Sequence, residues 1–210
     1  MNDPYIYYTQ QPILSSKFCN DLINRFEHDD RKRPQSTHPL NTELKQKSYD
    51  LDISQYDDYQ QENHAITLAT HQSLYDYEQH CNSTQPRQFH FTHDMSQWEG
   101  FVLQRTLPMD EGVWWHTDHR HVCLVGNNKS TVVSRVLSCI IYLNTVDEGG
   151  HTEFANGQLI QPIQGHCLIF PSTWTYIHRG LPPAHGNKYI LVGMWCTNQL
   201  IHSPKVENSA

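Results

Sequence analysis

Long apolar runs, paired cysteines and positive charge are all scarce in this 210-residue sequence. No apolar run approaches the roughly 20 residues that a bilayer-spanning helix needs, so no membrane partner is expected. The N-terminus, MNDPYIYYTQ, lacks the basic region and apolar stretch of a secretory signal, which predicts a soluble cytoplasmic protein. The six cysteines are Cys19, Cys81, Cys123, Cys139, Cys167 and Cys196, and none form a CxxC pair. That sets aside a zinc knuckle or a thioredoxin-like redox motif. Cys139 in LSCIIYL and Cys167 in HCLIF lie in apolar runs, where a thiol acts as a small hydrophobe. All six are expected to be free thiols in a reducing compartment. Lys and Arg number 15 against 22 Asp and Glu, a formal charge of −7. Binding to phosphate backbones needs clustered Lys and Arg, so nucleic acid is not expected as the main partner.

The length suits one domain with one sizeable core. In SSKFCNDLINRFEHDD, Phe18, Leu22, Ile23 and Phe26 recur at helical spacing after a serine suited to capping. A second helix is expected over much of 58–81, and the polar stretch RKRPQSTHPLNTELKQKS between them reads as loop. From about residue 88 short runs rich in β-branched and aromatic residues follow one another: QFHFTH, FVLQRTL, VWWHTD, HVCLVG, TVVSRVLSCIIYLN, GQLIQPI, HCLIFP, TWTYIH and KYILVGMW. Asn156-Gly157 between TEFA and QLIQ is a strong hairpin signal, and Gly126-Asn127-Asn128 is a second turn. The pattern predicts an α+β fold: a β-sandwich or jelly-roll core over 88–202, N-terminal helical support over 1–87 in the same domain, and a frayed tail over 203–210. Nothing in it specifies an oligomeric state.

Fifteen histidines are present, and only their placement can carry weight. His116-Thr117-Asp118 ends the strand VWWHTD. On an extended chain residues i and i+2 share a face, so an imidazole and a carboxylate can reach one metal ion. A third ligand must come from elsewhere. His178 in TWTYIHRG, 62 positions on and again at the end of an aromatic strand, is the candidate. Two His and one carboxylate on one side of a metal leave its other positions open, the facial arrangement of non-haem iron(II) oxygenases. His119 and His121 crowd the motif. Parity turns His119 away from Asp118, and turns His121 from His116 only if the strand stays regular; surface or substrate-rim roles are expected for both. Lys188 enters the apolar strand KYILVGMW ten positions after His178. It is either a strand-edge residue with its ammonium in solvent or a cation inside the barrel paired with a bound carboxylate. Tyr142 in SCIIYLN could hydrogen-bond to that carboxylate, or could be a plain core aromatic.

The ordered series HTD, RVLSCIIYLN, DEGGHTEF, QPIQGHCLIFP, IHRG and GNKYILVGMW, over roughly residues 100–196, resembles the prolyl 4-hydroxylases of the 2-oxoglutarate- and Fe(II)-dependent dioxygenase superfamily. The resemblance implies a double-stranded β-helix (jelly roll) backed by the N-terminal helices. It implies Fe(II), 2-oxoglutarate and O2 as cofactor and co-substrates, and admits ascorbate as a reductant. His116, Asp118 and His178 match the iron ligands. Lys188 matches the residue that binds the distal carboxylate of 2-oxoglutarate, and Tyr142 a tyrosine bonded to the same group. Trp195 and Thr152 match residues near the co-substrate and at the barrel mouth, and Arg135 an arginine on the substrate side. Retention of Asp118 implies hydroxylation, since related halogenases leave that position vacant for chloride. Trp114, Trp115 and Trp195 either wall off the site or belong to the core.

Thr106 stands near the place of a family tyrosine, and the usual GGET reads Gly149-Gly150-His151-Thr152. Both departures concern the substrate mouth. The implied substrate is a prolyl residue in a peptide or protein. The rivals are hydroxylation of a free amino acid or other small molecule, a non-catalytic metal-binding β-barrel, and a zinc hydrolase, which would have no use for Lys188 and Tyr142. Fold analogy does not fix the substrate.

Overall fold

The computed structural model of the protein describes residues 3–34, 48–88, 90–91, 95, 97–108, 112–126 and 129–197, without the side chains of residue 97 and residues 122–132. The amphipathic stripe near the N-terminus folds as helix α1, Ser16–Glu27. Ser15 caps it, its hydroxyl accepting the Phe18 amide at 3.2 Å. The second helix, α2, spans Gln60–Ser83, two residues later than expected, because a 3-10 turn over Asp57–Tyr59 precedes it.

Among the described residues twelve strands follow the chain: β1 Tyr7–Tyr8, β2 Arg33–Pro34, β3 Tyr49–Asp52, β4 Gln97–Thr106, β5 Val113–His116, β6 His121–Gly126, β7 Lys129–Tyr142, β8 Thr152–Phe154, β9 Leu159–Ile160, β10 Cys167–Pro171, β11 His178–Gly180 and β12 Lys188–Cys196. They pair antiparallel in two sheets. The larger runs β1-β10-β7-β12-β4-β3-β2 with β6 added to β7, and the smaller runs β5-β11-β8-β9. The larger sheet has an apolar layer on each face. Leu22 and Phe26 of α1 and Ile66 and Tyr77 of α2 pack with Leu103, Cys139, Ile141, Leu191 and Trp195. On the other face, Ile140, Tyr142, Leu168 and Phe170 cluster with Phe154 and Ile160 of the smaller sheet. Side-chain alternation sorts each strand between these layers.

Asn156-Gly157 turns β8 into β9 as its sequence predicts. Gly157 takes φ +87°, its amide donates to the Phe154 carbonyl at 2.9 Å, and the Gln158 amide donates to Asn156 Oδ1. Other expectations need correction. TWTYIH is not a strand: residues 173–176 bend and turn, with the Tyr176 amide donating back to the Thr173 carbonyl. His178 therefore opens a strand instead of ending one. The polar stretch read as loop contributes β2, which pairs with β3 through Arg33↔Asp50 and extends the sheet edge. The Asn127-Asn128 turn, half of QFHFTH, residues 35–47 of the loop and the 203–210 tail lie outside the described residues. Cys19, Cys81, Cys139, Cys167 and Cys196 are buried free thiols, while the side chain of Cys123 lies outside the description. Among the described residues no helix is long and apolar enough to cross a membrane.

Candidate active site

His116 closes β5 and His178 opens β11, and the two strands pair with these residues in register. Cross-strand pairing thus joins positions 62 apart in sequence and sets their ring centroids 4.3 Å apart. Asp118 follows just beyond the strand end. Its Oδ1 lies 3.5 Å from His116 Nε2 and its Oδ2 3.6 Å from His178 Nε2. One potential ligand atom from each residue falls within a span of 4.8 Å. No other such His, Cys, Asp or Glu group of three exists among the described residues. His119 and His121 are exposed and stand outside it, their rings edge-on to each other at 5.9 Å.

Backbone and hydroxyl contacts aim these three side chains. His116 Nδ1 meets the Trp114 carbonyl at 2.7 Å and His178 Nδ1 the Tyr176 carbonyl at 3.1 Å. Each ring therefore donates from Nδ1 and turns its Nε2 to the Asp118 side, the atom that a neutral imidazole would offer a metal. Phe170 lies edge-on to the His178 ring, with Phe154 on its flank. Ser138 donates to Asp118 Oδ2 at 2.7 Å, and its hydroxyl also meets that of Ser172 at 2.8 Å.

Burial disfavours the Asp118 carboxylate. The His116 hydrogen bond, both imidazoles and Ser138 outweigh it and hold the pKa at about 2. His178 is shifted down, chiefly by burial, which favours the neutral ring. His116 is shifted up, since Asp118 and the Trp114 carbonyl overcome its burial. An ionised carboxylate and a neutral imidazole are the ligating forms of these groups.

The triad faces a cleft of about 300 Å³ between the two sheets. Thr152, Arg135 and Lys188 also line it. Lys188 is 3% exposed, yet its ammonium has no hydrogen bond or ion pair with any described residue. Burial alone pulls its pKa down to about 8. Arg135 is held in a two-pronged ion pair with Glu99 and reaches the Asp118 carbonyl at 3.4 Å.

Two nominated residues do not reach the cleft. The Tyr142 hydroxyl is buried behind Thr152, bonded to its Oγ1 at 2.8 Å. Trp195 points to the opposite face of β12, into the helix-side core, where it packs edge-on to Trp98 at 4.6 Å. Trp114 and Trp115 are exposed, so the three tryptophans do not enclose the site together. Sequence reasoning missed Ser138, Ser172 and Glu99. Ser138 had a visible signal, a lone hydroxyl in the apolar strand RVLSCIIYL.

Two imidazoles and a carboxylate on one side, an open cleft on the other and an unpaired buried ammonium fit a metal that binds a carboxylate-bearing co-substrate. Residues 102–196 match the model of the 2OG-Fe(II) oxygenase superfamily. That span is 95 of the chain's 210 residues. Its likeness, with the His-Asp-His group, supports a dioxygenase that works with Fe(II), 2-oxoglutarate and O2. The matched span contains all eight residues nominated from sequence.

Solved structures share the fold. A viral collagen prolyl hydroxylase from Paramecium bursaria Chlorella virus-1, in a 2-oxoglutarate complex, aligns with TM-score 0.57 at 18% identity, over 92% of this chain and 95% of that one. A Pseudomonas putida prolyl-4-hydroxylase aligns with TM-score 0.56 at 16% identity, over 93% and 94%. A Trichoplax adhaerens prolyl hydroxylase, in complex with a hypoxia inducible factor oxygen degradation domain peptide fragment, aligns with TM-score 0.59 at 12% identity, over 91% and 83%. No curated protein sequence matches this chain significantly.

Proposed function

We propose that the oxygenase hydroxylates a prolyl residue in a peptide or protein, with His116, Asp118 and His178 holding iron(II) and Lys188 holding the distal carboxylate of 2-oxoglutarate. One observation carries the residue assignment: an unpaired, buried ammonium shares a cleft with the His-Asp-His group. A charge buried in this way is costly without a counter-ion, and a dicarboxylate reaching the metal would supply one. The prolyl substrate is supported by the fold likeness to three prolyl hydroxylases, one of them solved with a peptide. The same reading makes the two sheets a double-stranded β-helix, with residues 88–202 as the core and 1–87 as support within one domain. It puts the enzyme in the cytoplasm, in keeping with its five buried free thiols.

When bound, iron(II) and 2-oxoglutarate supply the oxidising power: O2 is consumed, 2-oxoglutarate leaves as succinate and CO2, and one oxygen atom enters a substrate C–H bond as hydroxyl. The chain supplies orientation. The Trp114 and Tyr176 carbonyls fix the two imidazoles, and Ser138, backed by Ser172, fixes the carboxylate. Phe154 and Phe170 flank His178 with apolar surface. Lys188 sets the direction of the co-substrate, and Tyr142 buttresses the cleft wall through Thr152. Arg135, held by Glu99 at the same cleft, faces the substrate side.

Succinate release from 2-oxoglutarate under air with iron(II), measured with proline-containing peptides, tests this reading. His116→Ala is expected to abolish turnover. Lys188→Ala is expected to recover it only at raised 2-oxoglutarate. No turnover with any peptide, together with no calorimetric binding of 2-oxoglutarate, would leave a metal-binding barrel in place of an enzyme site.

A further inference from the structure

The cleft holds a second charged group that the mechanism does not use. Asp50, on β3, lines the same cleft as His116, Asp118, His178 and Lys188. Its strand pairs with β4 through Asp50↔Gln104, and Gln104 pairs in turn with Ile190 of β12, so these three positions form one row across the sheet. One carboxylate oxygen, Oδ1, is buried and has no hydrogen-bond partner among the described residues. Gln104 is the single described side chain that bonds to the carboxyl group. Burial pushes the pKa up to about 7, and no neighbouring cation brings it down again.

Lys188 does not compensate it. No hydrogen bond or ion pair joins the two groups, and burial depresses the pKa of the Lys188 ammonium. The cleft therefore contains a buried ammonium and a buried carboxyl group that are not paired with each other. The cation is matched by the co-substrate's carboxylate. The anion, at the β3 end of the cleft, remains for the other ligand.

We infer that Asp50 is a specificity-determining residue that accepts a cationic amine of the substrate. This rests on the oxygenase reading of the cleft. Two sources share that chemistry: a basic side chain beside the target prolyl residue of a peptide, or the amine of a free amino acid such as L-proline. Either would give Oδ1 the donor it lacks. A hydrogen bond from a charged group in a buried site corresponds to roughly a tenfold or greater change in affinity.

Matched probe pairs test this by binding, independent of turnover. One pair is a blocked proline peptide with Lys beside the proline and its norleucine counterpart; the other is L-proline and N-acetylproline. Each is titrated by calorimetry into wild type and Asp50→Asn, loaded with nickel and 2-oxoglutarate. Asparagine keeps the shape and can still accept from Gln104 while removing the charge, so the variant should fold. In wild type the cationic member of one pair is expected to bind at least about tenfold more tightly, and Asp50→Asn should abolish that ratio without changing 2-oxoglutarate affinity. The pair showing the ratio identifies the source. Equal binding within both pairs in wild type, or a ratio that survives Asp50→Asn, overturns the inference. Failure of wild type to bind 2-oxoglutarate overturns instead the reading beneath it.

Discussion

At the residue scale, Lys188 has a linkage between charge and stability that can be measured. Its ammonium titrates near 8 in the folded chain against 10.5 in an exposed lysine, a difference corresponding to about 3 kcal/mol of folding free energy lost to the buried charge. The depressed value means that the unfolded chain holds more protons between those two pH values. The cost is therefore full below pH 8 and is relieved as pH rises toward 10.5. Without 2-oxoglutarate, the stability of wild type is expected to rise over that window in chemical denaturation. Lys188→Met should remove the rise and stabilise the ligand-free protein near pH 7. Calorimetry should show 2-oxoglutarate binding weakening above about pH 8 in wild type, as the ammonium is lost. An unchanged denaturation profile in Lys188→Met would mean that the ammonium is already neutralised by another group.

At the scale of elements, β12 does two jobs by alternation. Lys188, Ile190 and Met194 face the cleft, while Leu191 and Trp195 face the helices. Gly193 lies between, where the register to β4 shifts, and the Trp98 indole occupies the space a side chain would take. A Cβ there would collide with Trp98 Cζ2 and come within 2.9 Å of its Cη2. Gly193→Ala is expected to lose about 1–3 kcal/mol by overpacking. A smaller residue at Trp98 should recover part of the loss in the double variant, as denaturation midpoints would reveal; strict additivity would place the strain elsewhere. Elements were unevenly legible from sequence. Helix α1 and the Asn156-Gly157 hairpin follow from local rules, a cap with a stripe and a left-handed turn residue. The strand expected at TWTYIH was misplaced because its β-forming residues make a turn over 173–176, where Trp174 stays exposed.

For the whole molecule, the sheet that carries Lys188 is also the floor on which the helices rest. Phe26 of α1 is fully buried and lies edge-on to Tyr189, the residue next to Lys188, with ring centroids 6.2 Å apart. β3, from the N-terminal part of the chain, completes the sheet beside β4 and brings Asp50 into the cleft. Residues 88–202 alone would expose the helix-facing layer and leave β4 as an open edge. That fragment is expected to show no cooperative thermal transition. In the full chain Phe26→Ala should cost about 3–5 kcal/mol. A cooperative transition in the fragment would show that the helices are an attached layer and not part of one folding unit.

Sequence alone nominated the candidate residues, because their types and order are local facts: HTD, the later His178 and Lys188, the apolar strands between them and the turn that ends β8. It also held the superfamily pattern, which spans the segment carrying the whole triad. Only the tertiary structure decided which of the neighbouring candidates face the cleft. Alternation along a strand sorts residues into two faces, but the layer packed on each face depends on pairing with distant segments. Trp195 went to the helices for that reason, and Tyr142 behind Thr152. Ser138 came under Asp118 through contacts between segments 20 positions apart. Asp50 reached the cleft because β3, hidden in polar sequence, pairs with β4 of a sheet whose central strands, β10, β7, β12 and β4, come from later in the chain.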